Sequence, residues 1–240
     1  MIQYVRSALF WLGFAPSTVV MSLILVLLWP IAPFLWRQRI SVLWPRFNLW
    51  WLKVTCGLSH EVRGTEHIPA EPAVYLCKHQ SAWETVVMET VVPPMVWVLK
   101  RELMRIPIFG WALASLRPIA IDRKKGREAM EQLLKQGEAR LADGICVVVF
   151  PEGTRTAPGQ AGKYRAGGAM LAERAKVPVV PIAHNAGYFW PRRGFLKKPG
   201  TIQMEIGPVI DTTGLSAAEI NRRAQEWIEA TVAKMGGPTP

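Results

Sequence analysis

Between Arg6 and Arg37 the chain carries no charged residue, and inside that interval Ser17–Trp29 (STVVMSLILVLLW) is almost unbroken hydrocarbon. Nothing else limits the fold as strongly. A bilayer-spanning helix needs about 20 predominantly apolar residues, so this stretch belongs in lipid rather than in a globular core. Pro16, Pro30 and Pro33 are expected to divide it, because an internal proline removes a helical N–H and clashes with the preceding turn. A cleaved leader is disfavoured, since bulky Trp36 and Arg37 follow where a small-residue cleavage site would stand. Ile40–Leu58 then mixes Trp44, Phe47, Trp50 and Trp51 with Arg46 and Lys53, the pattern of a helix lying at the membrane interface. A single span and a two-helix hairpin in one leaflet both fit. Arg37, Arg39, Arg46 and Lys53 outnumber Arg6 on the other flank, which by the positive-inside preference puts the remainder of the chain in the cytoplasm.

From about Ser59 the pattern changes to short β-branched runs separated by helical segments, which predicts an α/β fold with a mixed sheet flanked by helices. Strands are expected at Glu61–Arg63, Ala73–Cys77, Met95–Leu99, Pro118–Ile121, Ile145–Phe150, Val177–Ala183 and Gln203–Ile206. Helices are expected at Ala82–Val92, Ile108–Ala114, Arg127–Ala142, Gly168–Lys176 and Ala217–Lys234. The division is therefore residues 1–57 as membrane-anchoring helices and 58–240 as an α/β catalytic domain, with GGPTP at the end as a loose tail.

A net charge of +11 calls for an anionic partner. The 11 tryptophans and the apolar N-terminus direct that charge at phospholipid headgroups and a phosphorylated substrate, and no nucleic-acid-binding signature accompanies it. Cys56, Cys77 and Cys146 lie in apolar surroundings without CxxC spacing, which predicts small buried hydrophobes and neither a disulfide framework nor a metal site.

Two segments carry chemistry. Lys78-His79-Gln80-Ser81-Ala82-Trp83-Glu84-Thr85 follows the apolar strand AVYLC, and ligands of open α/β sheets gather beyond the carboxyl ends of strands. A neutral His79 can take the proton of an alcohol while the Glu84 carboxylate holds its other ring nitrogen. A plainer reading competes: Ser81-x-x-Glu84 is also a capping box, in which Glu84 reaches back to a backbone N–H. Two carboxylate oxygens can serve both roles. The second segment is Phe150-Pro151-Glu152-Gly153-Thr154-Arg155-Thr156, where Gly153 admits close backbone approach and Arg155 can bind phosphate bidentately. Taken alone it reads equally as a β-turn with an exposed arginine. His60, His67 and His184 read as structural, with His184 the exception to watch because its strand ends near the presumed site. Ser81 lacks the GxSxG elbow of a serine nucleophile, which disfavours a hydrolase.

KHQSAWET, followed roughly 70 residues later by FPEGTRT, resembles the glycerolipid acyltransferases, and within them the bacterial 1-acyl-sn-glycerol-3-phosphate acyltransferases. Lys100-Arg101-Glu102-Leu103 with Pro107–Gly110 and Ile121-Asp122-Arg123 resembles the family's second block, and Val177–Ile182 its fourth. The resemblance implies His79 as base, Glu84 as its orienting acid, and no acyl-enzyme intermediate. It also implies that Lys100, Arg123, Glu152, Gly153, Thr154 and Arg155 shape the substrate site. The implied reaction is acyl transfer from acyl-CoA or acyl-carrier protein to lysophosphatidic acid at the cytoplasmic side of a bacterial inner membrane, without a cofactor or metal. An acyltransferase for glycerol 3-phosphate or a lyso-aminolipid is the alternative, and a non-catalytic membrane protein a more distant one. The family more often has Asn before the histidine and Asp at the acidic position, where this chain has Lys78 and Glu84.

Overall fold

Among the described residues seven strands form one sheet in the order β1-β7-β6-β2-β5-β3-β4. They are β1 (Leu58–Arg63), β2 (Val74–Cys77), β3 (Met95–Lys100), β4 (Ile119–Ile121), β5 (Cys146–Val149), β6 (Val179–His184) and β7 (Gly200–Ile206). All neighbours are parallel except β6 and β7, so the sheet is mixed as the pattern predicts. A computed structural model describes residues 1–92 and 94–237, with the backbone alone at Arg123; the end of the GGPTP tail lies outside the described residues.

Successive side chains of a strand point to opposite faces, and here both faces are apolar. Val74, Leu76, Val147 and Val149 pack beneath α6 (Gly126–Ala142), α7 (Gly167–Ala175) and α8 (Ala217–Met235). Tyr75, Cys77, Val148 and Val180 face the other layer, built from α1 (Ile2–Leu28), α3 (Leu43–Cys56) and α4 (Trp83–Val91). The short helices α2 (Phe34–Ser41) and α5 (Phe109–Ser115) complete that side.

The expected strands and catalytic-domain helices are present, with ends that shift by up to three residues. The largest shift is at β1 and β7, which begin three residues early because they pair in register from Leu58↔Gly200 to Arg63↔Glu205. The helix over Phe34–Ser41 was not expected, and α1 departs from expectation in running unbroken through Pro16. An interior proline costs a helix about 3 kcal/mol. The hydroxyls of Ser17 and Thr18 bond to the Phe14 carbonyl at 2.9 and 2.7 Å, and burial of Ser7 and Phe10 fixes the turns before the proline. Pro30 and Pro33 do end the helix, and α2 starts directly after Pro33.

Helices α1 and α3 run antiparallel. Cys56 Sγ lies 3.6 Å from the Arg6 carbonyl, Trp51 Nε1 donates to the Leu9 carbonyl at 3.1 Å, and Asn48 Nδ2 donates to Ser17 Oγ at 3.2 Å. Gly13 permits this approach, since a Cβ there would stand 2.2 Å from the Trp51 indole nitrogen. Both ends of α1 are tied to the α/β unit. Gln3 donates to the Lys197 carbonyl, and at the far end Arg37 donates to the Ser115 carbonyl at 2.8 and 3.1 Å and to carbonyls at Trp29 and Ala32. The hairpin lies along the sheet's helical layer, with Leu12, Val20, Leu23, Leu27, Phe47 and Trp50 left exposed on its outer side. Alpha 1 is long and apolar enough to cross a membrane.

Candidate active site

The parallel strands β2, β5, β3 and β4 deliver four loops to one edge of the sheet: 78–82, 150–156, Lys100 onward, and Asp122-Arg123. His79 leaves β2 at the middle of that edge. Its Nδ1 lies 2.8 Å from Glu84 Oε1, with the Glu84 side chain fully buried and the imidazole 14% exposed. The same carboxylate receives the backbone N–H groups of Gln80 at 3.0 Å and Ser81 at 2.8 Å, while Ser81 Oγ accepts from Trp83 N–H at 3.1 Å. The dyad geometry and the capping bonds therefore coexist on one side chain. Burial works against ionising Glu84, but the electrostatic pull of the His184 and His79 rings and the hydrogen bonds from His79 and Ser81 outweigh burial and hold its carboxyl below the ordinary range.

The peptide of His79 is gripped from both sides by the second segment. Glu152 Oε1 accepts its N–H at 3.2 Å, and its carbonyl accepts from Thr156 N–H at 2.8 Å and Thr156 Oγ1 at 3.2 Å. Gly153 turns this loop with φ 68°, a conformation that favours glycine. His184 is completely buried behind the pair. Its Nδ1 accepts from Ala186 N–H at 3.2 Å, so Nε2 carries the proton and donates to the Lys78 carbonyl at 2.8 Å. Burial first, against the pull of Glu84, lowers its pKa and keeps the ring neutral. His67 bonds to the Ile206 carbonyl and His60 packs edge-on against Trp83.

The remaining sequence-predicted residues are spread along the edge. Glu152 is buried beside Lys78, Thr154 and Lys100 are exposed, and the Arg123 side chain lies outside the described residues. Gly153 and Arg155 face different spaces. Gly153 lines a cavity of about 140 Å³ with Ile121, Met130, Leu133, Phe150 and Gly168, which is largely apolar. Arg155 lines one of about 380 Å³ with Ala82, Trp190, Arg193 and Phe195, bounded by Trp11 of α1. That second space is open, cationic and adjacent to the apolar hairpin, a combination that suits an amphiphile with an anionic head.

A family model for acyltransferases matches residues 59–185, over half of the 240-residue chain and inclusive of both motif segments. The chain belongs to the acyltransferase family. It is 47% identical over 238 residues to a 1-acyl-sn-glycerol-3-phosphate acyltransferase of Pseudomonas aeruginosa, covering 98% of this chain and 93% of that one. It is 32% identical to the human 1-acyl-sn-glycerol-3-phosphate acyltransferase alpha over 178 residues, covering 73% of this chain and 63% of that one. The crystal structure of the 1-acyl-sn-glycerophosphate (LPA) acyltransferase from Thermotoga maritima superposes with a TM-score of 0.81 over 99% of this chain and 98% of that one, at 19% identity, which establishes a shared fold.

In this acyltransferase the structure adds residues that sequence reasoning did not single out. Phe150 stacks on His79, Arg193 joins Arg155, and Lys78 meets Glu229, which Tyr164 holds in turn. For Arg193 a signal was present, because WPRRGF places two arginines between aromatic residues. Glu229 gave none, as an acidic residue on an amphipathic helix reads as solvated surface.

Proposed function

We propose that this acyltransferase moves a fatty acyl chain from acyl-CoA or acyl-carrier protein to the free hydroxyl of 1-acyl-sn-glycerol 3-phosphate, giving phosphatidic acid without a cofactor or metal. The observation that carries the reading is His79 Nδ1 at 2.8 Å from a fully buried Glu84 carboxylate, at the carboxyl end of a central strand. A carboxylate only accepts, so Nδ1 carries the proton and Nε2 presents a lone pair. Nε2 takes the hydroxyl proton as the oxygen bonds to the thioester carbonyl, and Glu84 steadies the imidazolium. When the tetrahedral adduct collapses, the C–S bond breaks and His79 returns the proton to the departing thiolate. Glu152, Gly153 and Thr154 shape the loop beside His79, Lys100 adds positive charge along the same edge, and Arg123 is kept as a substrate residue on the family resemblance. Arg155 and Arg193 hold the acceptor phosphate, which keeps the hydroxyl near the base and removes entropic cost from the reaction.

The α1–α3 hairpin anchors the enzyme. Both ends of α1 are fastened to the α/β unit, which favours burial of its outer face in one leaflet over a span. Arg37, Arg39, Arg46 and Lys53 favour the cytoplasmic leaflet of the inner membrane. This leaves both acyl chains in lipid while the reacting groups meet His79.

The test is an assay of the purified full chain in mixed micelles with acyl-CoA, following free thiol, with lysophosphatidate, glycerol 3-phosphate or no acceptor. Thiol release that needs lysophosphatidate supports the reading. Release without acceptor would make the chain a hydrolase, and release only with glycerol 3-phosphate would move it to another acceptor class. Arg155→Ala should lower kcat/KM for lysophosphatidate about ten- to hundredfold, with Arg155→Lys recovering part.

A further inference from the structure

Lys78 precedes His79 and its side chain has no exposed surface. An ammonium has three protons to donate, and Nζ meets three acceptors: Glu229 Oε1 at 2.6 Å, Glu152 Oε1 at 3.3 Å and the Gln160 carbonyl at 3.3 Å. Tyr164, itself buried, donates its hydroxyl to the same Glu229 oxygen at 2.8 Å. Glu229 belongs to α8, the last helix of the fold and far from His79 in sequence.

The arrangement is directional. Glu152 Oε1 touches both Lys78 Nζ and the His79 N–H, so whatever fixes Lys78 fixes the oxygen that holds the His79 peptide. On the carbonyl side of that peptide, Thr156 comes from the same loop as Glu152. A buried ion pair is a poor stabiliser, since apolar side chains of similar volume often do as well or better, whereas removing one partner leaves an uncompensated charge. What such a pair supplies here is a fixed position for two adjacent backbone segments.

We propose that Lys78, clamped by Glu229 that Tyr164 in turn holds in place, is a positioning residue that sets the His79 peptide and the 150–156 loop in their reactive arrangement, which makes helix α8 a working part of the active site. This rests on the reaction proposed above only for its kinetic readout.

Glu229→Gln in the full chain keeps the shape and removes the charge. Its kcat with lysophosphatidate and acyl-CoA should fall about ten- to hundredfold with KM for lysophosphatidate unchanged. Hydrogen exchange at the amides of His79 and Thr156 should accelerate by more than at amides of the central strands, and Glu152, still paired with Lys78, limits the fall in melting temperature. Tyr164→Phe should move both readouts the same way by less, and it carries the test if Glu229→Gln does not fold. Glu226→Gln, an exposed α8 residue paired with Arg222, should behave as wild type. A folded Glu229→Gln or Tyr164→Phe with wild-type kcat and wild-type exchange overturns the clamp. So does a lowered melting temperature with kcat of the folded protein unchanged, which is a structural role only. Exchange needs no turnover, so a wild-type chain inactive on these substrates would refute the proposed reaction while the exchange data still decide on the clamp.

Discussion

The imidazole of His79 lies flat on the ring of Phe150, with centroids 4.0 Å apart and planes 15° from parallel. Phe150 in turn stacks on Trp97 at 5.4 Å and 12°. His79 is thus fixed in its plane by Glu84 and across its face by an aromatic pair, leaving one ring edge for substrate. Phe150→Leu keeps apolar volume but gives up the flat support. With His79 as the proposed base, it should lower kcat by about tenfold or more, while KM and the melting temperature change little. Steady-state kinetics beside thermal unfolding would check this, and unchanged kcat would make the stack incidental.

Most of the sheet was legible because central strands such as Val147–Val149 must be apolar on both faces. Less was legible where a distant partner decides the outcome. Nothing local to Leu58 announces that it pairs with Gly200, and nothing local to Pro16 announces that packing of Phe10 against Trp190 will hold the helix together. The site divides in the same way. His79 lies five residues before Glu84, in the loop that turns from β2 into α4, and their contact follows from that local turn. Arg193 reaches Arg155 and Glu229 reaches Lys78 only through the folded topology, and a list of motif residues contains neither.

On the proposed mechanism Glu84 has two duties, so its substitutions should show two losses. Glu84→Gln leaves one side-chain oxygen where three donors now converge, and it removes the charge that supports imidazolium. Turnover should fall sharply, together with about 1 kcal/mol of stability from the weakened helix start. His79→Ala should lose about 100- to 10,000-fold in kcat with folding intact. Circular dichroism and thiol-release kinetics on both variants are the check. A folded Glu84→Gln with wild-type turnover would leave that residue a cap alone.

His184 should leave a signature in the pH dependence of stability. Its imidazole titrates near 6.5 ordinarily and lower when buried in the fold. Between those two values the unfolded chain binds more protons than the folded one. The contribution of neutral His184 is therefore complete above about 6.5 and is lost as the pH falls through the folded value, at up to about 1.4 kcal/mol per pH unit. His184→Gln can still donate to the Lys78 carbonyl but has nothing to protonate there. Melting temperatures of wild type and variant should diverge less as the pH drops below about 6.5. Parallel curves would show that His184 does not titrate on unfolding.

The proposed anchoring by the hairpin can be tested at its outer face without disturbing the inner one. Phe10 is fully buried against Trp190 and Trp11, so deleting α1 would strip the core and confuse anchoring with unfolding. Leu23 and Leu27 instead lie one turn apart on the exposed side of the helix. Burying a leucine side chain is worth roughly 1.5–3 kcal/mol, so Leu23→Lys combined with Leu27→Lys should weaken binding to phospholipid vesicles by at least about a hundredfold. The variant should keep its melting temperature and its activity on micellar substrate. Wild type should resist a high-salt wash, because hydrocarbon burial is not screened as surface charge is. Flotation of both proteins with vesicles measures this directly. Undiminished flotation of the double variant, or release of the wild type by salt alone, would show that the basic surface and not the hairpin holds the enzyme at the membrane.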